Sequence, residues 1–156
     1  MKKNMIHMIV LAMACLFASC QDSSKLVISD LQCEYLNAPL AIDNTTPHFG
    51  WKMTGGQKGT SSSAYQLLVA TELDKLNEEE ADLWNSGKVS SDTSIGIAYG
   101  GKALTSRTQA YWKVRVWNQN DEPSDWSQPA SFGIGMLGED DWSAEARFIG
   151  VEQADE

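Results

Sequence analysis

Residues 26–134 alternate between hydrophobic and polar side chains with a period of two residues rather than 3.6. Such alternation is typical of β-strands that bury one face. Clusters of Gly, Pro, Asn, Asp and Ser separate the alternating stretches, as turns separate short strands. Seven strands are therefore predicted, at residues 26–36, 49–53, 64–70, 83–89, 95–99, 111–118 and 130–134. Seven short strands with regularly spaced turns predict an all-β fold, a seven-stranded antiparallel β-sandwich.

Two of these strands carry the clearest packing signal. The strand at 64–70 is apolar on both faces, so we expect it to be covered on both sides. In the strand at 111–118, Trp112, Val114 and Val116 point to one face, and the opposite face carries Tyr111, Lys113, Arg115 and Trp117. The acidic stretch 71–82 between two strands is predicted to be a solvated connection, with one or two helical turns as the alternative.

The first nineteen residues have the features of a signal peptide. Lys2 and Lys3 form a positive start, and Met8–Ala18 is an apolar run too short to span a bilayer. The string Leu16-Phe17-Ala18-Ser19-Cys20 resembles the lipobox of bacterial lipoproteins. That resemblance implies cleavage before Cys20 and attachment of acyl chains to it, which together hold a protein stably at a membrane.

We therefore expect an exported, membrane-anchored lipoprotein that faces the periplasm or the cell surface. Residues 20–25 would be a polar tether. The alternative is an ordinary secretory signal with an incidental cysteine. Because Cys15 would leave with the signal peptide and Cys20 would carry lipid, Cys33 would be the only free thiol, and we expect it to be a small buried hydrophobe.

Composition and charge narrow the function. The 156 residues are 42% hydrophobic and include six Trp, enough for the core of one domain. Twenty-one acidic and twelve basic side chains give a net charge of −9. This charge argues against a nucleic acid as a binding partner and against docking on anionic lipid through a basic patch. Two His and three Cys at no metal-ligand spacing predict no metal site, and nothing in the sequence calls for a cofactor.

Local strings resemble the fibronectin type III plan, a seven-stranded sandwich of the immunoglobulin-like class. Trp51 takes the place of the core Trp of the second strand, and the third strand is similar in residues 65–69. There is one departure. Counted from Leu104, the Tyr that usually forms the corner hydrogen bond falls at Ala110, while Tyr111 lies on the opposite face.

A more specific resemblance is to the N-terminal region of bacterial α-L-rhamnosidases, glycoside hydrolases that remove terminal rhamnose from glycans. The strings that carry it lie in family order at residues 31–43, 64–70, 82–89 and 111–117. Together they span nearly all of residues 26–150. The ordered set is more specific than any one string.

The resemblance implies a modular enzyme. In the family, this sandwich is followed by further β-sandwich domains and an (α/α)6 catalytic barrel. We expect a sandwich at 26–136, then a linker and the start of a second sandwich at 137–156, with no catalytic residues of its own. The sequence would then be a fragment, a gene sequence cut short, or a degraded copy.

The expected function is a non-catalytic accessory module of an α-L-rhamnosidase, inactive alone, whose partners are the downstream domains of the same enzyme. Two alternatives remain open. One is a stand-alone surface lipoprotein that binds a rhamnose-containing glycan, and the other is a protein-interaction module.

One group of side chains is a candidate site. Ser124-Asp125-Trp126-Ser127 resembles the second half of the Trp-Ser-x-Trp-Ser box of some fibronectin-type domains, in which a Trp stacks against a cation from a neighbouring strand. The predicted aromatic–cation ladder consists of Tyr111, Lys113, Arg115, Trp117 and Trp126. It would either rigidify one sheet or offer an aromatic platform to a sugar.

Other polar clusters are expected to be solvated surface. The acidic runs at 78–80, 121–122 and 139–141 lie in predicted turns, where adjacent carboxylates stay ionised and no calcium loop is formed. His48 is predicted to lie in a loop without a partner at useful spacing.

Overall fold

The computed structural model describes residues 25–56 and 58–147. Eight β-strands form in chain order: β1 (Leu26–Cys33), β2 (His48–Gly55), β3 (Ser62–Ala70), β4 (Trp84–Asn85), β5 (Val89–Ser90), β6 (Ile97–Ala98), β7 (Gln109–Asn118) and β8 (Ala130–Gly133). One sheet has the order β1-β2-β6, and the other has the order β4-β3-β7-β8 with β5 also paired to β3. All of these strand pairs are antiparallel. The predicted antiparallel β-sandwich is confirmed.

The core lies between the two sheets and is built from alternate residues of each strand. β2 contributes Phe49 and Trp51, and β7 contributes Trp112, Val114 and Val116. The Phe49 ring centroid lies 4.6 Å from that of Trp112 and 5.7 Å from that of Phe132. Trp51 is buried with its ring centroid 5.6 Å from that of Tyr65. Aromatic pairs at these distances stabilise a core beyond the area they bury.

β1 is shorter than predicted. It ends at Cys33 because the next two residues, Glu34 and Tyr35, both adopt positive φ angles, 51° and 62°, which turn the chain out of the extended conformation. The turn is closed by two 3.0 Å hydrogen bonds between the backbones of Cys33 and Leu36. Tyr35 is consequently exposed and lies outside the strand, although the strand predicted at residues 26–36 includes it.

Cys33 is a buried thiol among the core residues, 1% exposed. Burial raises the pKa of this thiol to about 12, with a further contribution from the charge of Glu34. A thiol with so high a pKa is a poor nucleophile. Its predicted role as a small hydrophobe is confirmed.

The strand predicted at 83–89 is two short strands. β4 and β5 both pair with β3, and Gly87, at a φ of 61°, redirects the chain between them. The strand predicted at 95–99 is likewise reduced to Ile97–Ala98, after Gly96 at a φ of 72°. Glycine adopts these angles without steric cost, so both breaks follow from the sequence.

The position of the missing corner tyrosine is filled by Ala110, which is buried opposite Phe132. A different tyrosine, Tyr99, fixes the neighbouring segment of the chain through a hydrogen bond. The hydroxyl of Tyr99, just after β6, donates to the carbonyl of Lys102 at 2.8 Å. The connection between β6 and β7 is therefore fixed from its beginning.

The segment 71–82 is a largely exposed connection, as its acidic residues predict, but it is not solvated throughout. It carries Leu76, which is buried against Leu68 and Ala70 on the outer face of β3. Asp82 closes the segment by accepting hydrogen bonds from the backbone and hydroxyl of Thr71 at 2.9 and 2.6 Å. β3 is therefore covered on both faces, as its sequence predicts.

The outer edge of β8 is paired with the segment 39–42. The Gly133 backbone N–H donates to the carbonyl of Pro39 and that of Gly135 to the carbonyl of Ile42, each at 2.8 Å. Ile42 in turn donates to Gly133 at 2.9 Å. A Cβ at position 133 would lie 2.4 Å from the carbonyl oxygen of Leu40, so only glycine allows this close approach.

The predicted signal peptide, Cys20 and most of the tether lie outside the described residues, as do residues 148–156. After β8 the chain forms a single 3-10 turn at Glu139–Asp141. Within the described ranges, no helix is both long and apolar enough to cross a bilayer.

Candidate functional site on the outer face of the second sheet

The candidate site lies on the face of β7 that points away from the core. A pair of serines holds the loop after β7 against this strand. The Ser127 backbone N–H donates to the carbonyl of Val114 at 2.8 Å, and the Val114 N–H donates to Ser127 Oγ at 3.1 Å. Ser124 repeats the same two bonds with Val116 at 2.8 and 3.1 Å. Ser124 and Ser127 are three residues apart in the loop. They bond to Val116 and Val114, which are two residues apart in the strand.

This anchoring places Trp126 against two cations of β7. The Lys113 Nζ lies 4.9 Å from the ring centroid of Trp126, and the Arg115 Cζ lies 4.6 Å from it. The Arg115 Cζ also lies 4.8 Å from the Trp117 ring, and the Lys88 Nζ lies 4.8 Å from that same ring. Four of the five residues predicted for the ladder are brought together, and Lys88 joins them.

Arg115 is the centre of the ladder. Its Nε and Nη2 donate to Gln66 Oε1 at 3.1 and 2.8 Å, and its Nη2 also donates to Glu78 Oε1 at 2.6 Å. Gln66 is 4% exposed and lies directly opposite Arg115 in the sheet. The Gln66 amide donates in turn to Asn85 Oδ1 at 2.8 Å. Strands β3, β4 and β7 are therefore linked by one polar network.

The electrostatics of the ladder follow from its partial burial. Burial lowers the pKa of Lys113, and the neighbouring charges of Glu78 and Arg115 act in opposite directions on it. The Arg115 side chain is 23% exposed, so the ladder is only partly screened by water. A cation over an indole stabilises by about 0.5–1 kcal/mol at an exposed site.

Tyr111 is the one predicted ladder residue without a cation–ring contact among the described residues. It packs instead against the second core cluster, which contains Leu68, Ala70 and Leu76. The sequence alone does not predict that Gln66, Glu78 and Lys88 belong to this site. Gln66 could have been found from its place between apolar residues of β3, since a buried amide needs a polar partner.

Trp117 and Trp126 both lie against cations, but Trp117 is buried whereas Trp126 is half-buried. Lys113 and Arg115 are two residues apart on β7, about 7 Å along a strand, and Trp126 contacts both of them. Trp117 contacts Arg115 and Lys88, and its side chain is buried. These contacts hold the loop residue Trp126 against the strand, and the burial of Trp117 removes one of the two indole surfaces on which a sugar ring could stack.

His48 has a partner, contrary to the sequence prediction. It is the first residue of β2, and its Nδ1 lies 3.0 Å from Glu34 Oε1. The same oxygen accepts the backbone N–H of His48 at 2.7 Å and the side-chain amide of Asn44 at 3.0 Å. Partial burial acts to raise the pKa of Glu34, but the hydrogen bonds from His48 and Asn44 outweigh it and lower that pKa.

The three acidic runs are also more than solvated surface, and in the run at 121–122 the Asp121 carboxylate pairs with Lys88. Glu78 pairs with Arg115, as described, and Asp141 accepts hydrogen bonds from Ser106 and from the backbone N–H groups of Leu137 and Gly138. The hydrogen bond from Ser106 contributes most to lowering the pKa of Asp141. Across residues 25–56 and 58–147, no group of three or more His, Cys, Asp or Glu is arranged to hold a metal ion.

The two-sheet sandwich with this strand order defines an immunoglobulin-like domain. Residues 28–138 match the family described as "Rha78A-like, N-terminal immunoglobulin domain". The chain belongs to this family.

The relatives of the chain are much longer proteins. It is 42% identical over 153 residues to an α-L-rhamnosidase of Formosa agariphila, a match that covers 96% of this chain and 16% of that enzyme. It is 38% identical over 122 residues to an α-L-rhamnosidase of Streptomyces avermitilis, covering 78% of this chain and 12% of the relative. The chain thus spans about a sixth or less of the length of these relatives.

Solved structures agree with this assignment. The crystal structure of Streptomyces avermitilis α-L-rhamnosidase complexed with L-rhamnose superimposes with a TM-score of 0.72 at 38% identity, over 76% of this chain and 11% of that one. The α-L-rhamnosidase of Dictyoglumus thermophilum gives a TM-score of 0.71 at 36% identity, over 76% and 13% of the two chains.

Proposed function

We propose that this chain is the non-catalytic N-terminal accessory module of an α-L-rhamnosidase. The observation that carries the proposal is the match of residues 28–138 to an N-terminal domain whose relatives are named α-L-rhamnosidases. The module would pack against the enzyme's following domains and support their folding. Removal of terminal rhamnose from a glycan would be the work of those domains.

The carboxyl groups support a non-catalytic role. Glycoside hydrolysis needs one carboxylic acid that stays protonated opposite a second, ionised carboxylate. In the described part of the chain, three carboxyl groups have a clearly displaced pKa, those of Glu34, Asp82 and Asp141, and in each the pKa is lowered. Hydrogen bonds from Ser106 act on Asp141, and those from Thr71 outweigh burial at Asp82. A lowered pKa favours the ionised form, which cannot protonate a leaving oxygen.

The ladder supports a structural role for the outer face of β7. Trp117 and Trp126 lie against Lys88, Lys113 and Arg115, and the network continues through Gln66 into β3. The alternative, a glycan-binding surface, would need a free aromatic face. Titration of rhamnose-containing oligosaccharides into residues 21–156, followed by Trp fluorescence, separates the two: a saturable change would favour the glycan-binding alternative.

The proposed location is the outer side of a bacterial membrane, through lipid on Cys20. What supports it is the apolar run Met8–Ala18 followed by the lipobox-like string that ends at Cys20. The accessory module would then space the enzyme from the membrane.

A domain replacement tests the accessory role. Residues 21–156 would be inserted into the Formosa agariphila enzyme in place of the region aligned to this chain. We expect this chimaera to hydrolyse an aryl α-L-rhamnoside within about tenfold of the parent enzyme, whereas deletion of the region removes active soluble enzyme. A chimaera with Trp51→Ala is the matched control, because an emptied core site should make the module fail in the same way as the deletion.

Two results would contradict the proposal. One is a chimaera as inactive as the deletion. The other is hydrolysis of the aryl α-L-rhamnoside by purified residues 21–156 alone that is abolished by replacing one carboxylate.

A further inference from the structure

We propose that one end of the sandwich is a docking face for the domain that follows it in the same polypeptide, an inference that rests on the proposed function. The face, here the exit face, consists of Leu40, Met136, Leu137 and Trp142. Their exposed fractions are 84%, 42%, 41% and 59%. Three of them, Leu40, Met136 and Trp142, line one groove beside β8.

The composition of the exit face is that of an interface. Apolar side chains that are exposed together in one patch mark interaction sites, whereas single exposed ones are ordinary. Other exposed hydrophobic residues lie elsewhere: Val27 and Leu73 do not line this groove, and Ile95 lines a separate groove with Tyr35. The groove of the exit face also contains Asp43 and Arg107, so charged groups surround its apolar centre.

The position of the exit face identifies its occupant. β8 ends at Gly133, and Met136, Leu137 and Trp142 belong to the segment by which the chain leaves the sandwich. In the Formosa agariphila relative, the match covers 16% of the length, and the matching family is an N-terminal domain, so most of that enzyme follows this point. A domain joined so close to the face has a high effective concentration there, so a small interface suffices for docking.

The segment by which the chain leaves the sandwich after β8 is held in place by Ser106 and Arg107, which lie in the connection before β7. The Asp141 carboxylate accepts the backbone N–H groups of Leu137 and Gly138, each at 2.9 Å, and the hydroxyl of Ser106. The Arg107 guanidinium donates to the Asp141 carbonyl, and the Arg107 N–H donates to the carbonyl of Gly135 at 3.1 Å. Fixing these residues before docking lowers the entropy lost on docking. The exit face is therefore preorganised.

Thiol labelling tests the proposal. Leu40→Cys places a reactive thiol at the most exposed point of the face, and Ile95→Cys is the matched control at a 64% exposed position. Background from Cys33 is low, because that thiol is buried with a pKa of about 12. Labelling by a maleimide is followed by mass spectrometry in isolated residues 21–156 and in the Formosa chimaera.

We expect Leu40→Cys to react at least ten times more slowly in the chimaera than in the isolated chain, and Ile95→Cys to react at the same rate in both. Equal rates for Leu40→Cys in a chimaera that hydrolyses rhamnoside would overturn the docking face and leave the accessory role intact. Slow labelling in an inactive chimaera would support the docking face and count against the accessory role. Concentration-dependent protection in the isolated chain would assign the face to a second copy and overturn the proposal.

Discussion

The guanidinium carbon of Arg115 lies 4.6 Å from the ring centroid of Trp126, although the two residues reach each other from β7 and from the loop that follows it. The contact depends on Ser124 and Ser127, which hold the loop along the strand. A short loop motif thereby becomes part of the sheet surface.

Arg115→Ala is expected to lower the free energy of unfolding by about 1–3 kcal/mol, because the buried amide oxygen of Gln66 would lose both of its Arg115 donors. The ion pair with Glu78 adds little, since the glutamate is half exposed. Arg115→Lys, which keeps the charge, should have a free energy of unfolding between that of the wild type and that of Arg115→Ala. Urea denaturation of residues 21–156 measures the effect, with exposed Lys102→Ala as the control. A loss below 0.5 kcal/mol, typical of a surface substitution, would remove Arg115 from the centre of the network.

Trp51→Ala is expected to cost about 3–5 kcal/mol, the usual effect of emptying a large core site. Trp51→Phe should cost clearly less. Within the described part of the chain the Trp51 indole N–H has no hydrogen-bond partner, so phenylalanine loses only volume. Both are measured by chemical denaturation, and a cost below about 1 kcal/mol for the alanine variant would be incompatible with a core position.

Glu34→Gln is expected to destabilise the domain by about 1 kcal/mol at neutral pH, because the amide accepts the hydrogen bonds of His48 and Asn44 less strongly than the carboxylate does. The folded-state pKa of Glu34 is lowered from 4.5. The stabilisation is therefore fully present above that ordinary value and is lost as the pH falls through the lowered pKa.

Denaturation at a series of pH values checks this prediction. The difference between wild type and Glu34→Gln should shrink below pH 4.5, with Glu79→Gln as the control for loss of one carboxylate. A difference that stays constant down to pH 2 would show that the carboxylate charge plays no part.

Cys20→Ala is expected to move the protein from the membrane fraction to the soluble fraction, because the acyl chains on this cysteine would be the anchor. Fractionation and labelled fatty acid measure the change, and Cys15→Ala is the matched control within the leader. Fatty acid that still enters the Cys20→Ala variant would rule out Cys20 as the lipid site.

Much of the fold could be predicted from the sequence because a strand shows its buried face as a period of two. In β7 the residues Trp112, Val114 and Val116 lie in the core, as their alternation predicts. The end of β1 could not be predicted. Glu34 and Tyr35 adopt positive φ angles that nothing in their side chains favours, and the turn is fixed by its hydrogen bonds to Leu36 and His48.

The candidate site was predictable on strand β7 and in the serine motif of the loop after it, but not on the neighbouring strands. Alternation places Lys113, Arg115 and Trp117 on one face of β7, and the serine motif suggests Trp126. Gln66 and Lys88 belong to other parts of the sheet, and which residues face each other depends on strand register. The register depends on how both sheets pack in the folded domain, and it cannot be predicted from a single sequence.

The segment 39–42 along β8 completes a pattern at the margins of both sheets. β1 is interrupted by an irregularity between Ser29 and Gln32, and the margins at β4, β5 and β6 are only two residues long. An uncovered, regular strand margin is a template on which other polypeptides add strands and aggregate. Each margin that the described residues form is short, irregular or occupied, so copies of this module at high concentration would resist joining into a continuous sheet.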